Sequence, residues 1–477
     1  MPPYIPTNFI PKIFKKTNMS LETTVIKNDL CSGCGACSYI QPEKFQMKFD
    51  QYEMIKAYVI DDISPQDSVV ENVCPFSNNS KNEDTLAQEL YPEAKFSDEY
   101  LGRYNSTYVG YANEGEFRTK GSSGGTGKWL LQELLNQDQV DYVIQVAPEV
   151  IDGELFSYRV YKQGDNLTTG AKSAYYPITL DGALDFMKEH DGRYAVTAVP
   201  CFSKALRNLA DNDELINKRL SFIIGIVCGH LKSAYFAKLL SWQVGINPES
   251  LKGIDFRGEI QGGVANDKAL SATSLDGNHS TPVATRSLFG GNWGYNFFKY
   301  KACDYCDDVM AETADISIGD AWLPEFINDS RGHNVIVCRN TIIDKIIKKA
   351  TIDNKLSMET IAPEKIAHSQ LGGFKHRREG LNYRITKAKS LNEWTPNKRF
   401  ITGKNTSSVR KNVYNYRIII REQSEALFKK ALLKNDLSYF IDKISPLIKQ
   451  LEYTPYYYKI ISFMKRAFNK IKRTLIG

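Results

Sequence analysis

The stretch Cys31-Ser32-Gly33-Cys34-Gly35-Ala36-Cys37 decides how the chain is read, because three thiols two residues apart can take three corners of one iron-sulfur cube. In two-cluster proteins such a run continues x3-Cys-Pro, and that last thiol serves the second cube. Here the corresponding positions are Gln41-Pro42, so the proline is present and the thiol is not. Downstream, Cys74-Pro75 has the ending that completes the first cube. Counting back from Cys74 by the same spacing gives Val70, Asp67 and Ser64, none of them a thiol. The two losses agree with each other. Cys31, Cys34, Cys37 and Cys74 are therefore predicted to hold one 4Fe-4S cluster, with its partner cluster absent. A zinc site of four cysteines is the competing reading, although such sites use two separated Cys-x2-4-Cys hooks.

The 477 residues suffice for two or three domains with at least one sizeable core. Nine cysteines, at 31, 34, 37, 74, 201, 228, 303, 306 and 338, are an odd number, and the N-terminus has no apolar run of signal length. Metal ligation in a reducing compartment fits better than a disulfide framework. Met19 is a second candidate start, which makes residues 1–19 a dispensable tail. No stretch reaches the 18 or so apolar residues of a membrane span, so the expectation is a cytoplasmic protein. The net charge of +6 is unevenly spread: 391–477 holds 18 Lys and Arg against 6 Asp and Glu, which leaves the remainder acidic. An acidic body argues against general nucleic-acid binding.

Residues 20–80 read as a small ferredoxin-type module with two short strands around Phe45–Phe49 and Met54–Ile60. The polar, acidic stretch 78–99 reads as a linker. Strand-like and helix-like segments then alternate. Lys120-Gly121-Ser122-Ser123-Gly124-Gly125-Thr126-Gly127 leads into a helical run from Lys128 to Asn136, and strand-like Val140 to Val146 follows. A Gly- and Ser-rich turn at a helix start presents free N–H groups and the positive end of the dipole, which suits a phosphate. An empty Ser/Gly cap reads equally well.

Two apolar strands end in cysteine: Tyr194–Val199 runs into Pro200-Cys201, and Phe222–Val227 runs into Cys228. Ligands sit at the carboxyl ends of strands in open α/β sheets, so the two thiols can face one site. Cys303-x2-Cys306 brings the number to four, which satisfies a second 4Fe-4S cluster or a zinc ion alike. Cys338, in strand-like Asn334–Arg339, has no partner and reads as a core residue. The six histidines show no paired metal or catalytic spacing.

Taken in order, Ser122-Ser123-Gly124-Gly125, Val199-Pro200-Cys201, Gly225-Ile226-Val227-Cys228, Cys303-x2-Cys306 and Ala314-Asp315-Ile316 leading to Gly319-Asp320 resemble the family of coenzyme F420 hydrogenase/dehydrogenase beta subunits, which includes 7-hydroxymethyl chlorophyll a reductase. The resemblance runs from Cys31 to Arg339. It implies an FAD near Ser122, Ser123, Gly124 and Gly125, with Lys120 and Lys172 as candidate contacts to its phosphates or ring. It also implies a 4Fe-4S cluster close to the flavin on Cys201, Cys228, Cys303 and Cys306. The expected fold is α/β (α+β): the module at 20–80, a flavin and iron-sulfur core at 100–385, and a basic helical extension at 390–477.

The activity implied is that of an iron-sulfur flavoprotein oxidoreductase that joins a two-electron, hydride-type partner to one-electron carriers, with a redox protein or small electron carrier as partner. The resemblance also hints at a setting in cell-surface polysaccharide biosynthesis. A cluster-binding electron-transfer or scaffold protein without flavin is the alternative, and a zinc-stapled accessory protein is a third. From Tyr457 to Leu475 a helical projection separates Tyr457, Ile460, Met464, Ala467, Ile471 and Leu475 from Lys459, Lys465, Arg466, Lys470, Lys472 and Arg473. Such a helix suits an anionic membrane surface, an acidic partner or this protein's own core.

Overall fold

Apolar side chains alternate through β1 (Phe45–Phe49) and β2 (Ile55–Val59), which pair as an antiparallel hairpin with Phe45 opposite Val59. Asp50 shapes the turn by accepting the N–H groups of Tyr52 and Met54 at 2.8 and 3.0 Å. The computed structural model describes residues 20–61, 69–151, 153–400 and 406–455. Within it, two short helices, α1 (Ala36–Ile40) and α2 (Val69–Val73), complete the module around the hairpin. The module is docked on the core rather than tethered to it. The Tyr300 hydroxyl accepts the Ile55 N–H at 2.8 Å, and the Leu180 N–H donates to the Cys34 carbonyl at 3.3 Å.

Residues 78–99 are not a plain linker. They carry a helix over Glu83–Leu90 whose cap, Asn82, accepts the Thr85 N–H. Its charged outward face hid it, because the helix itself buries only Leu86 and Ala87 as apolar residues. Glu83 is buried too, beside Lys204 and Arg399.

The core is built on an eight-stranded sheet. Its strands are β3 (Ser106–Ala112), β4 (Tyr142–Ile151), β5 (Glu154–Lys162), β6 (Tyr194–Ala198), β7 (Leu220–Ile226), β8 (Ile316–Asp320), β9 (Asn334–Cys338) and β10 (Leu356–Thr360). Their order is β10-β3-β9-β8-β7-β6-β4-β5. The four strands β4, β6, β7 and β8 run parallel, and the flanking pairs are antiparallel. Parallel strands are covered on both faces, which is why β6 and β7 read as unbroken apolar runs: Ala195, Val196, Ile223 and Ile224 are fully buried. The cover includes α3 (Thr126–Asn136), which buries Trp129, Leu130, Leu131, Leu134 and Leu135, and α4 (Pro200–Asn212), started by its N-terminal proline. Each such Leu contributes roughly 1.5–3 kcal/mol by leaving water.

The C-terminal extension is helical, as its pattern predicts. Its helix α5 (Ser408–Lys434) and a helix across 437–455 pack Phe428, Phe440, Ile444 and Ile448 against Phe297 and Phe298 of the core. The amphipathic stretch Tyr457 to Leu475 lies outside the described residues. Among those described, no helix is long and apolar enough to cross a membrane.

Candidate functional site

The four N-terminal cysteines line one cavity together with Leu21, Val25 and Ala57. Cys31 and Cys34 lie in the loop before α1, Cys37 lies within α1, and Cys74 directly follows α2. Wrapping three thiols round so small a space needs left-handed backbone, and Gly33 (φ +80°) and Gly35 (φ +87°) supply it. A side chain at Gly33 would come within 2.7 Å of the Ile55 carbonyl oxygen, and one at Gly35 would strike Asp181. Peptide N–H groups converge on the sulfurs: Gly33 and Ala57 donate to Cys31 Sγ at 3.4 and 3.3 Å. Burial pushes the Cys74 thiol up to about 12 and those of Cys34 and Cys37 higher still. Metal coordination removes such protons outright.

Cys201, Cys228, Cys303 and Cys306 form a second set. Ala198 at the end of β6 lies in register with Gly225 of β7, so both strands leave the sheet on one side. They deliver Cys201 to the first turn of α4 and Cys228 just past Ile226. A 3-10 turn over Lys301–Tyr305 brings Cys303, and Cys306 follows it. Burial raises Cys201 most, and the thiols of Cys306, Cys228 and Cys303 add to it in that order. Burial likewise pushes Cys228 up to about 12 and Cys303 up to about 11, the latter against a 3.2 Å hydrogen bond from the Leu231 N–H. Among the described residues no three His, Cys, Asp or Glu side chains converge closely enough to hold a single metal ion. The two sets adjoin, with Cys201 packed beside residues of both. Cys338 is fully buried in β9, away from either set.

Buried cations surround the second set, and sequence reasoning had no signal for them. Arg377 is 1 % exposed; its Nη2 donates to the Gly229 carbonyl at 2.8 Å, and its guanidinium also hydrogen-bonds to the Cys306 thiol. Burial works against its charge, and the thiols of Cys306 and Cys228 outweigh burial, so its pKa stays above the ordinary arginine value. Lys299, Arg384, Arg421 and His376 gather within 2.5–3.7 Å of a single carboxylate, Asp304. Lys232 is 2 % exposed, and burial drives its ammonium toward the neutral form. The Arg377 guanidinium, paired with no carboxylate among the described residues, fits an anionic group on these four sulfurs better than four neutral thiols.

The serine-glycine turn begins α3. Gly124 and Gly125 have φ of +61° and +77°. Part of the turn is satisfied internally: the Thr126 N–H donates to Asn334 Oδ1 at 3.2 Å and Ser123 Oγ to the His333 carbonyl at 3.0 Å. Ser122 faces elsewhere. Its hydroxyl accepts the Ser173 N–H at 2.7 Å, and its carbonyl accepts Arg257 Nη2 at 3.4 Å. Arg257 in turn holds both oxygens of Asp320, at the carboxyl end of β8, at 3.0 Å. Lys172 lies nearby, paired with Asp255 at 2.8 Å. The Lys120 side chain is exposed. The ammonium inside this turn belongs to Lys128, which donates to the carbonyls of Lys120, Thr168 and Gly170; burial, then Lys172, pushes its pKa down to about 8.

From Arg257 a path of contacts leads as far as His230. Arg257 Nη1 donates to the Tyr175 hydroxyl at 3.3 Å, Tyr175 stands edge-on to Trp293 at 4.7 Å, and Trp293 meets His230 at 4.3 Å, two residues beyond Cys228. Buried Thr126 Oγ1, Arg257 Nε and His230 Nε2 have no partner. Ile226 at the end of β7 and Trp322 just past β8 are 37 % and 45 % exposed at strand ends that a planar ring could cover. These features fit a flavin. Of these residues only Ser122, Asp320 and Cys228 belong to motifs visible in the sequence.

Models of the coenzyme F420 hydrogenase/dehydrogenase beta subunit match the chain over residues 107–185 (the N-terminal part) and 191–364 (the C-terminal part). The chain is 24 % identical over 343 residues to a subunit of the F(420)H(2) dehydrogenase of Methanosarcina mazei, covering 67 % of this chain and 82 % of that one. It is 21 % identical over 379 residues to the coenzyme F420-dependent sulfite reductase of Methanocaldococcus jannaschii, covering 75 % of this chain and 52 % of that protein. A chain of the F420-reducing [NiFe] hydrogenase complex from Methanosarcina barkeri superposes with a TM-score of 0.48 at 17 % identity, over 63 % of this chain and 99 % of that one.

Proposed function

Since the chain belongs to the family of coenzyme F420 hydrogenase/dehydrogenase beta subunits, we propose that it is an iron-sulfur flavoprotein working as the electron-transfer subunit of an oxidoreductase. In this reading Cys31, Cys34, Cys37 and Cys74 hold one 4Fe-4S cluster, Cys201, Cys228, Cys303 and Cys306 hold another, and an FAD lies between the Ser122 turn and Cys228. The flavin, when bound, exchanges electrons in pairs and each cluster one at a time. The carrying observation is the path of contacts from Ser122 through Arg257, Tyr175 and Trp293 to His230, two residues beyond Cys228 in the chain.

The protein's own residues position and insulate. The Arg257–Asp320 pair fixes the carbonyl side of the Ser122 turn, and Tyr175 and Trp293 wall the route to Cys228 with apolar surface. The Arg377 guanidinium favours the thiolates of Cys228 and Cys303, which burial alone would keep protonated. A relative that is a subunit of F(420)H(2) dehydrogenase supports a redox protein as partner and reduced coenzyme F420 as the first hydride donor to try. A flavin-free electron carrier is the second reading, favoured by the internal bond of Thr126 N–H to Asn334.

Anaerobic mixing with reduced coenzyme F420, or with a nicotinamide hydride donor, in the presence of a viologen separates the two. The flavoprotein is expected to reduce two one-electron acceptors per hydride consumed. A protein whose clusters accept electrons from dithionite but from no hydride donor contradicts the proposal.

A further inference from the structure

The two thiol sets differ in the sign of their surroundings. At the N-terminal set each nearby cation is already matched: Lys56, which donates to the Cys31 carbonyl at 3.1 Å, pairs with Asp29 at 2.9 Å, and Lys204 pairs with Glu83 at 3.5 Å. The carboxylate of Asp181 lies against Gly35 and accepts from Ser38 Oγ at 2.8 Å, adding negative charge beside Cys37. At the second set Asp308 also bears on Cys228, but Arg377 acts on that thiol more strongly. Arg377 is buried with no carboxylate partner among the described residues, bonded through Nη2 to the carbonyl next to Cys228, and its neighbour His376 contacts the Cys303 carbonyl at 3.3 Å. Residues 376–380 form a π-helical turn, a local irregularity that recurs at functional sites. It is this turn that aims Arg377 inward.

We propose that Arg377 holds the second cluster at the higher potential of the two, so that it takes the first electron; the inference rests on the two-cluster reading above. An electron from a one-electron reductant leaves that reductant oxidised by one and takes a cube with its four thiolates from two negative charges to three. A guanidinium fixed in a low-dielectric interior favours the more negative form, and an unpaired carboxylate disfavours it. Electrons entering from a one-electron carrier therefore collect at the cluster on the flavin side. Arg377 acts through the cluster and is a positioning residue, not a catalytic one.

The test is an anaerobic dithionite titration of the full chain followed by electron paramagnetic resonance, on wild type, R377Q and R377K, with C34S to assign the signal of the second cluster. In wild type the second cluster is expected to be reduced first. R377Q is expected to lower its reduced-to-oxidised ratio about tenfold at fixed potential, about 59 mV for a one-electron couple, without moving the N-terminal cluster. R377K, which keeps the charge, is expected to keep the wild-type order. The inference is overturned if the N-terminal cluster is reduced first in wild type, or if R377Q retains both clusters with unmoved midpoints. Should R377Q shed iron, the order in wild type and in R377K decides. Wild type containing only about four irons would sink the two-cluster reading, whereas about eight irons with unmoved midpoints would sink the role of Arg377 alone.

Discussion

Cys306→Ser is expected to halve the iron and sulfide of anaerobically purified protein, from about eight of each per chain to about four, while flavin stays bound. Cys306 lies just past the Lys301–Tyr305 turn, facing Cys201 at the start of α4, and is the leading thiol neighbour of both Cys201 and Arg377. A serine hydroxyl is a harder and weaker ligand than a soft thiolate at that corner. The proposed flavin contacts come from other elements, so hydride oxidation by a bound flavin should survive while viologen reduction falls to background. Cys338→Ser is the control. That thiol is fully buried in β9, bonded to the Asn340 carbonyl at 3.4 Å, and its replacement should cost stability without iron. Unchanged iron in Cys306→Ser would remove it from the ligand set.

Arg399→Met is expected to destabilise the protein by about 3–5 kcal/mol, the cost of breaking a buried ion network from one side. The Arg399 side chain is 4 % exposed and holds both Glu312 oxygens at 2.9 Å and Asp84 at 2.7 Å, with Glu83 and Asp307 at 3.5 Å. It thereby ties the 83–90 helix, the loop after Cys306 and the start of the C-terminal extension. Without it Glu312, Glu83 and Asp307 are left to Lys204 and Lys398.

The deficit should depend on pH. Burial, then Glu312 and Glu83, raise Asp308 to about 7, opposed by Arg399. A carboxyl raised above its unfolded value favours folding most at low pH and loses that contribution as pH rises through the folded pKa. The variant should therefore be further below wild type at pH 8 than at pH 6. Urea denaturation at the two pH values measures this; equal midpoints for variant and wild type would show that the network contributes no net stability.

What could be read from the residues was local. The Cys-x2-Cys-x2-Cys turn, the strands ending at Cys201 and Cys228, and the helix after Gly125 announce themselves through spacing and apolar runs, and each forms where expected. Arg377, Arg257, Tyr175 and Trp293 had no such signal, since the side-chain hydrogen bonds that place Arg257 and Arg377 reach partners 63 to 148 positions away. The turn composition pointed to Lys120, but folding turns Lys128 inward, because α3 presents that position to the carbonyls of residues 120, 168 and 170. The basic surplus of the C-terminal extension finds part of its explanation in Arg399 and Arg421, which serve buried carboxylates. Charge counting cannot separate such residues from a solvated face.

The central claim is two clusters and one flavin in a single chain. The most direct test is anaerobic purification followed by iron, sulfide, zinc and extracted-flavin analysis of one sample. About eight irons, about eight sulfides and one FAD per chain is the expected result. About four irons without flavin would leave only the N-terminal cluster, and zinc without sulfide would contradict the account at both thiol sets.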